Sequence, residues 1–586
     1  MSLSYLALAA VGLTQFVSVS HAGELHYKPC PLYGANYPAP SNLAAEACIQ
    51  QASSSLRSQL NDAFQSPSSF GQLDPNTTAF SVEVYSLHQD NPLFTMHFTP
   101  DYLKSQRTEG VEAVDEDTIY RIGSVSKLYT VYMYLIAAGD DSWNLPITNF
   151  VAELAAISSS AGDVEDNVDQ AKWNSITMGA LASQLAGISR DSIYSPALAQ
   201  LLGSMNIPDQ GGSAHSTCGS DSWAMLPCNR TDFFEGFPTQ HPVTTPFNTP
   251  IYSNAAFQIL GYALENITGQ SIPELMQSLL IDSLGLTSTS YTVPAASNAS
   301  IIPFNGTWSW WSADAGDESP AGGYFSSLRD VSTLGKAILN STLLSPAQTR
   351  RWLKPHSFTA NADELVGAPW EILRAPGDPL TYMYTKSGDI GKYASMTALW
   401  PEFDAGFSVL AAGQMSADTR RIISDTIAAV YTPALRDAAK REAMAVYTGT
   451  YANEESNSTI TIVVDDENPG LVVSEFIGGG QDVLALLGQV QGVDTTSQSL
   501  RMNLYYSGLK TQSDNGSSVA WRAVYEALPE DADPGSFSSN CVSWGLVNSL
   551  VYGGIGLDEI LFTFDSQNRS ANGIIPRVLG TNMARP

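Results

Sequence analysis

Between residues 71 and 440 the β-prone runs lie at the two ends of the segment, and helical patterns fill its middle. Residues 79–85 (AFSVEVY) and 93–98 (LFTMHF) flank a His-Gln-Asp-Asn-Pro turn and read as a hairpin. Residues 381–389 (TYMYTKSGD), 393–400 (YASMTALW) and 406–413 (GFSVLAAG) read as three more strands. The interior carries KLYTVYMYLIAAG (127–139), apolar almost throughout and stopped by Gly139. NAAFQILGYALENITG (254–269), IPELMQSLLIDSLGL (272–286) and GGYFSSLRDVSTLGKAIL (322–339) are further helical patterns. Strands, then helices, then strands predict one α+β domain whose sheet joins both ends of the segment.

The texture changes after a charged helical stretch, LRDAAKREAMAV (435–446). STITIVV, GLVVSEF, RMNLYYSG, AWRAVYEAL and EILFTF are strand-like and separated by Asp, Asn, Gly and Ser, which predicts a β-rich domain over residues 445–586. Residues 205–250, rich in Gly, Pro and Ser, read as a long surface excursion, and Gly478-Gly479-Gly480 as a turn. Residues 1–22 are apolar and end in Ser20-His21-Ala22, a small-x-small site, so they read as a signal peptide. Residues 23–70 read as a lead-in. No other run is long and apolar enough to span a bilayer, so an exported, extracellular protein without a membrane span is expected.

The 28 Lys and Arg stand against 58 Asp and Glu, a net charge of −30, and no basic run interrupts the acidity. Phosphate binding needs a basic patch, so nucleic acid is excluded as a partner. The five cysteines show no zinc-site spacing and the seven histidines no His-Glu-x-x-His pattern, so no metal and no cofactor is expected. Nearness in sequence pairs Cys30 with Cys48 and Cys218 with Cys228, leaving Cys541 over. Glycosylation sequons stand at Asn76, Asn229, Asn266, Asn298, Asn305, Asn340, Asn457, Asn515 and Asn568, in keeping with a secretory route.

The chemistry is carried by three short motifs. Ser124-Val125-Ser126-Lys127 opens the apolar helix, and residues three apart share a helix face, so the Lys127 amine can reach the Ser124 hydroxyl. A serine needs an adjacent base, and a lysine serves when burial favours its neutral amine. Tyr252-Ser253-Asn254 offers a phenol that can relay a proton if nearby cations lower its pKa, and an amide that can orient the lysine and a substrate carbonyl. Lys386-Ser387-Gly388 ends a β-run, where glycine lets a ligand approach the backbone and lysine supplies a positive field. Ser124 does not lie in Gly-x-Ser-x-Gly, which speaks against an α/β-hydrolase.

IGSVSK, YSN and KSG, in this order, resemble the motif set of class C β-lactamases and the related penicillin-binding-protein-like esterases and peptidases. WNLPITNFV, ALASQLAGISR, TPIYSNAAFQILGYALENITGQS, LGLTSTSYT and PAGGYFSSLRDVSTLGKAIL extend the resemblance from about residue 75 to 435. YTGTY (447–451) resembles the opening of the β-rich domain of secreted fungal β-lactamase-like proteins. The resemblance implies an antiparallel sheet flanked by helices with an all-helical subdomain, and a serine hydrolase domain over residues 71–440. It implies Ser124 as nucleophile, Lys127 as its base, Tyr252 as second acid/base group and Asn254 as orienting group. Lys386 and Ser387 would set the field and bind substrate, with the backbone N–H groups of Ser124 and Asp389 as oxyanion hole. The substrate would be a small molecule or peptide with an ester, amide or lactam carbonyl. The alternatives are acyl transfer on the same fold and a non-catalytic binding protein. The sequence departs from the family pattern at Ser387, where threonine is usual, and at Asp389, whose charge would disfavour anionic substrates such as penicillins. A third departure is that ALASQLAGISR lacks the usual His-Thr-Ser stretch.

Overall fold

The computed structural model describes residues 30–160, 168–191, 196–207, 218–220, 225–295, 297–375, 380–465, 469–493, 499–513, 516–528, 541–566 and 569–586. The proposed signal peptide, part of the 205–250 excursion, and the sequons at Asn515 and Asn568 lie outside the described residues. The described residues form two compact units, one within 38–442 and the other within 443–586 together with residues 30–37.

An eight-stranded antiparallel sheet is the frame of the first unit. Its strands are β1 (Thr78–Ser86), β2 (Phe94–Phe98), β3 (Ser357–Phe358), β4 (Glu364–Val366), β5 (Glu371–Arg374), β6 (Tyr382–Ile390), β7 (Tyr393–Trp400) and β8 (Ala405–Gly413). Their order is β2-β1-β8-β7-β6-β5-β4-β3, so the first hairpin pairs with the last strand, Val82 lying opposite Val409. Every residue of β1 and β8 is buried, as a central strand covered on both faces requires. One cover is α1 (Ala47–Gln65), whose Phe64 ring stands 4.4 Å from that of Phe98 and 6.2 Å from that of Phe80. The lead-in expected for residues 23–70 therefore contains a 19-residue helix. Its buried Ile49, Ala52, Leu56, Leu60 and Ala63 follow the helical spacing, a period hidden among the small polar residues around them.

The helix that follows Ser124, α2 (Ser126–Ala137), is buried at each residue from Ser126 to Leu135. A helix apolar on all sides belongs inside a core, and it packs beside α3 (Ala255–Thr268). Helix α4 (Leu328–Leu339) lies on β1, β7 and β8. The last helix, α5 (Ser416–Tyr447), carries Pro433 inside it and is far longer than the stretch legible at 435–446.

In the second unit nine strands run in the order β10-β9-β17-β16-β15-β14-β13-β11-β12. They are β9 (Gly449–Asn453), β10 (Ser458–Val464), β11 (Leu471–Gly478), β12 (Gln481–Asp482), β13 (Ser499–Ser513), β14 (Gly516–Leu528), β15 (Glu559–Phe564), β16 (Gly573–Pro576) and β17 (Met583–Ala584). A further pairing of β10 with β11 closes the sheet into a barrel, which removes exposed strand edges. Tyr447, Trp521 and Phe562 fill it, with ring centroids 4.9 to 6.0 Å apart.

Cys218 bonds Cys228 as expected. The Cys30–Cys48 pairing is corrected: Cys30 bonds Cys541 across 511 residues of sequence, and Cys48 is free and half-buried. Cys48 sits on α1 with its thiol toward the Ala434 carbonyl, whereas the Cys30 N–H donates to Glu526 of the barrel at 2.9 Å. The two cysteines are committed to different units, so nearness along the chain misled.

Candidate functional site

Ser124 lies in a 3-10 turn, Gly123–Val125, directly before α2. Its hydroxyl is met from two sides: the Lys127 Nζ is 3.0 Å from Oγ, and the Tyr252 hydroxyl is 2.7 Å from it. Lys127 is fully buried by the apolar helix that carries it. Its amine donates to Asn254 Oδ1 at 2.6 Å and to the Ala321 carbonyl. The Asn254 amide nitrogen in turn donates to Asp191 at 2.6 Å. A carboxylate only accepts, so Asp191 turns the amide oxygen toward the lysine. With two pure acceptors occupied, the lone pair of a neutral Lys127 amine points at Ser124. Burial lowers the Lys127 pKa, Tyr252 opposes that shift and Lys386 reinforces it.

The phenol of Tyr252 is under the opposite influence. Burial alone would raise its pKa, but the Lys127 and Lys386 ammonium groups and the hydrogen bonds to Ser124 and Lys127 bring it down to about 8. Lys127, Arg190 and Lys386 stand 4.9, 4.9 and 5.4 Å from its ring centre. A hydroxyl held between an amine poised to be neutral and a phenol poised to lose its proton can be deprotonated from one side and assisted from the other.

The Tyr-Ser-Asn segment owes its place to the loop before it. The Ser253 N–H donates to Gln184 Oε1 at 2.7 Å, the Ser253 hydroxyl to the Ser189 carbonyl at 2.8 Å, and the Asn254 N–H to the Arg190 carbonyl at 2.7 Å. Gln184 itself takes a φ of +63°. These contacts come from ALASQLAGISR, the segment that departs from the family pattern, so the departing loop still holds Ser253 and Asn254, the two residues after the tyrosine.

Strand β6 delivers Lys386, Ser387, Gly388 and Asp389 to the same place. Lys386 is buried and forms an ion pair with Glu371. Burial works against its charge, yet Glu371, Tyr252 and Asp389 together outweigh burial and raise its pKa. At Gly388 a Cβ would stand 2.2 Å from the Ile122 carbonyl and 2.7 Å from the Ser124 nitrogen. Gly123, at φ +49°, would place a Cβ 2.5 Å from the Asp389 nitrogen. The two glycines thus let the end of β6 lie against the Ser124 turn, with the Ser124 and Asp389 backbone nitrogens beside the crossing. Gly388→Ala should cost at least ~10²-fold in activity, because the obstructing atoms are backbone and an ångström of misplacement suffices for that. A steady-state assay of the folded variant checks it.

All eight residues singled out from the sequence therefore converge on one site: Ser124, Lys127, Tyr252, Asn254, Lys386, Ser387, Gly388 and Asp389. Four contributors carried no motif signal: Gln184, Arg190, Asp191 and Glu371. Among the described residues no cluster of His, Cys, Asp or Glu suited to a metal is present.

Residues 99–432 match the family model described as Beta-lactamase. This chain belongs to the β-lactamase family. Residues 439–586 match a second model, described as Beta-lactamase-like-like, C-terminal domain. A "Beta-lactamase-like protein" of Arthroderma benhamiae is 28% identical over 575 residues, 93% of this chain and 94% of that protein. A protein of Phoma sp. named as a "Probable hydrolase" is 27% identical over 456 residues, 74% of this chain and 71% of that one. Among solved structures, a class C β-lactamase is similar over 66% of this chain and 96% of its own, at 15% identity and a TM-score of 0.45. Family membership agrees with the resemblance first read from IGSVSK, YSN and KSG, and hydrolases stand among the relatives.

Proposed function

We propose that this protein is a serine hydrolase that forms an acyl-enzyme at Ser124 on an ester, amide or lactam of a small molecule or peptide. The observation that carries the reading is the Ser124 hydroxyl, within hydrogen-bonding distance of both Lys127 and Tyr252. In the proposed reaction the Ser124 Oγ attacks the carbonyl carbon while its proton passes to the neutral Lys127 amine. The backbone N–H groups of Ser124 and Asp389 would hold the oxyanion. On collapse the carbonyl–leaving-group bond breaks and the leaving group takes a proton from Tyr252 or Lys127. Water, deprotonated by the same pair, then releases the acid and restores Ser124.

The site belongs to an exported protein in this reading. Its support is two disulfides, which persist in oxidising compartments. Asn76, Asn229, Asn266, Asn298, Asn305, Asn340 and Asn457 are all exposed, as glycan acceptors must be. Among the described residues no helix is long and apolar enough to cross a membrane.

Intact-mass measurement after exposure to a fluorophosphonate tests the central claim. One adduct, mapped by digestion to the peptide containing Ser124, is expected. Folded protein that takes no adduct from a fluorophosphonate or from a panel of p-nitrophenyl esters would sink the enzyme reading and leave a binding protein on this fold.

A further inference from the structure

We infer that Glu371 sets the charge selectivity of this site, binding both Lys386 and Ser387 so that the acyl groups admitted are uncharged; the inference rests on the acyl-transfer reading of Ser124. Glu371 stands on β5, directly opposite Thr385 of β6 in the sheet register. One of its oxygens takes the Lys386 ammonium. The other accepts two hydrogen bonds from Ser387, from the backbone N–H and from the hydroxyl, both at 2.9 Å. A serine hydroxyl has one proton. With that proton given to Glu371, Ser387 offers a ligand lone pairs only, which suit an N–H or O–H of a neutral acyl group and repel a carboxylate.

The charges around the site point the same way. Lys386 is buried, and the carboxylate that neutralises it is in direct contact. Burial opposes ionisation of Glu371, but Lys386 and the Ser387 hydrogen bonds prevail and keep its pKa below the ordinary glutamate value. Arg190, the exposed cation over the Tyr252 ring, lies 3.3 Å from Asp191. Asp389, next after Gly388, is exposed and lies 3.4 Å from Arg420. Lys386, Arg190 and Arg420 are thus each matched by a carboxylate. A substrate anion at Ser387 would have to displace Glu371 and then sit between two like charges. The mild-looking change to Ser387 and the acid at Asp389 belong to this arrangement, and Glu371, which no motif marks, completes it.

The test compares p-nitrophenyl butyrate with the p-nitrophenyl monoester of succinate, which differ by a terminal methyl against a carboxylate. Wild-type protein should prefer the neutral ester by about 30-fold or more in kcat/KM, as a like-charge clash at close range demands. Glu371→Gln should cut that preference about tenfold by freeing the Lys386 charge, and Glu371→Asp should restore most of it. If neither ester turns over, rates of Ser124 labelling by neutral and carboxylate-bearing fluorophosphonates replace the ester rates. Equal rates for the neutral and anionic reagents on wild type, or an unchanged preference in folded Glu371→Gln, would overturn the inference and leave the Ser124 reading standing. No adduct with either fluorophosphonate would overturn both.

Discussion

Ser124→Ala is expected to lower kcat/KM on an activated ester by at least ~10³-fold and to take no fluorophosphonate adduct. Removing a nucleophile costs this much even when the rest of a site still binds and polarises substrate. The change deletes one oxygen from a half-buried turn, and Lys127 keeps its bonds to Asn254 and Ala321. The fold should survive, and a thermal melt close to that of wild type would separate lost chemistry from lost structure. Turnover within tenfold of wild type would assign the reaction to another group.

Tyr252→Phe should cost between ~10² and ~10⁴ in kcat/KM, the range a positioned acid or base contributes. The pH profile carries the sharper information. Lys127 and Tyr252 together must shed one proton before either can take that of Ser124; with the phenol at about 8, the pair that has done so is the minority at neutral pH. Acylation should therefore rise with pH, about tenfold per unit, and level off above about 8. In Tyr252→Phe the limb should move to lower pH. The phenolate raises the Lys127 pKa, and without it burial and Lys386 hold the amine lower still. Loss of rate with an unmoved limb would separate the titrating group from Tyr252. A rate within threefold of wild type would remove the tyrosine from the chemistry.

Why these groups were legible and others were not follows from how each interaction is encoded. Ser124 and Lys127 are three residues apart on one turn, so local helical geometry brings them together. The Tyr-x-Asn and Lys-Ser-Gly elements are conspicuous only as members of an ordered set. Their joining to Ser124, across 128 residues for Tyr252, is a matter of how α3 and β6 pack. Glu371 has no such signature. Any acidic residue in an unremarkable strand looks alike until the register sets it opposite Thr385, within reach of Lys386 and Ser387. Asp191 is equally mute, since its partner, the Asn254 amide, lies 63 residues away.

The same division runs through the fold. Period, composition and turn residues determined the hairpin at 79–98, the apolar helix after Ser124, the three closing strands and the β-rich texture beyond 445. Each is a pattern that neighbours in sequence can express. Tertiary structure alone decided that β1 pairs with β8, that nine strands close into a barrel, and that Cys30 meets Cys541 in place of Cys48. It also decided the chemistry of the site. In the proposed reaction a lysine would serve as base and a tyrosine would ionise near neutrality because of burial and the charges around them. Those are properties of a packed interior, and no segment of the chain carries them by itself.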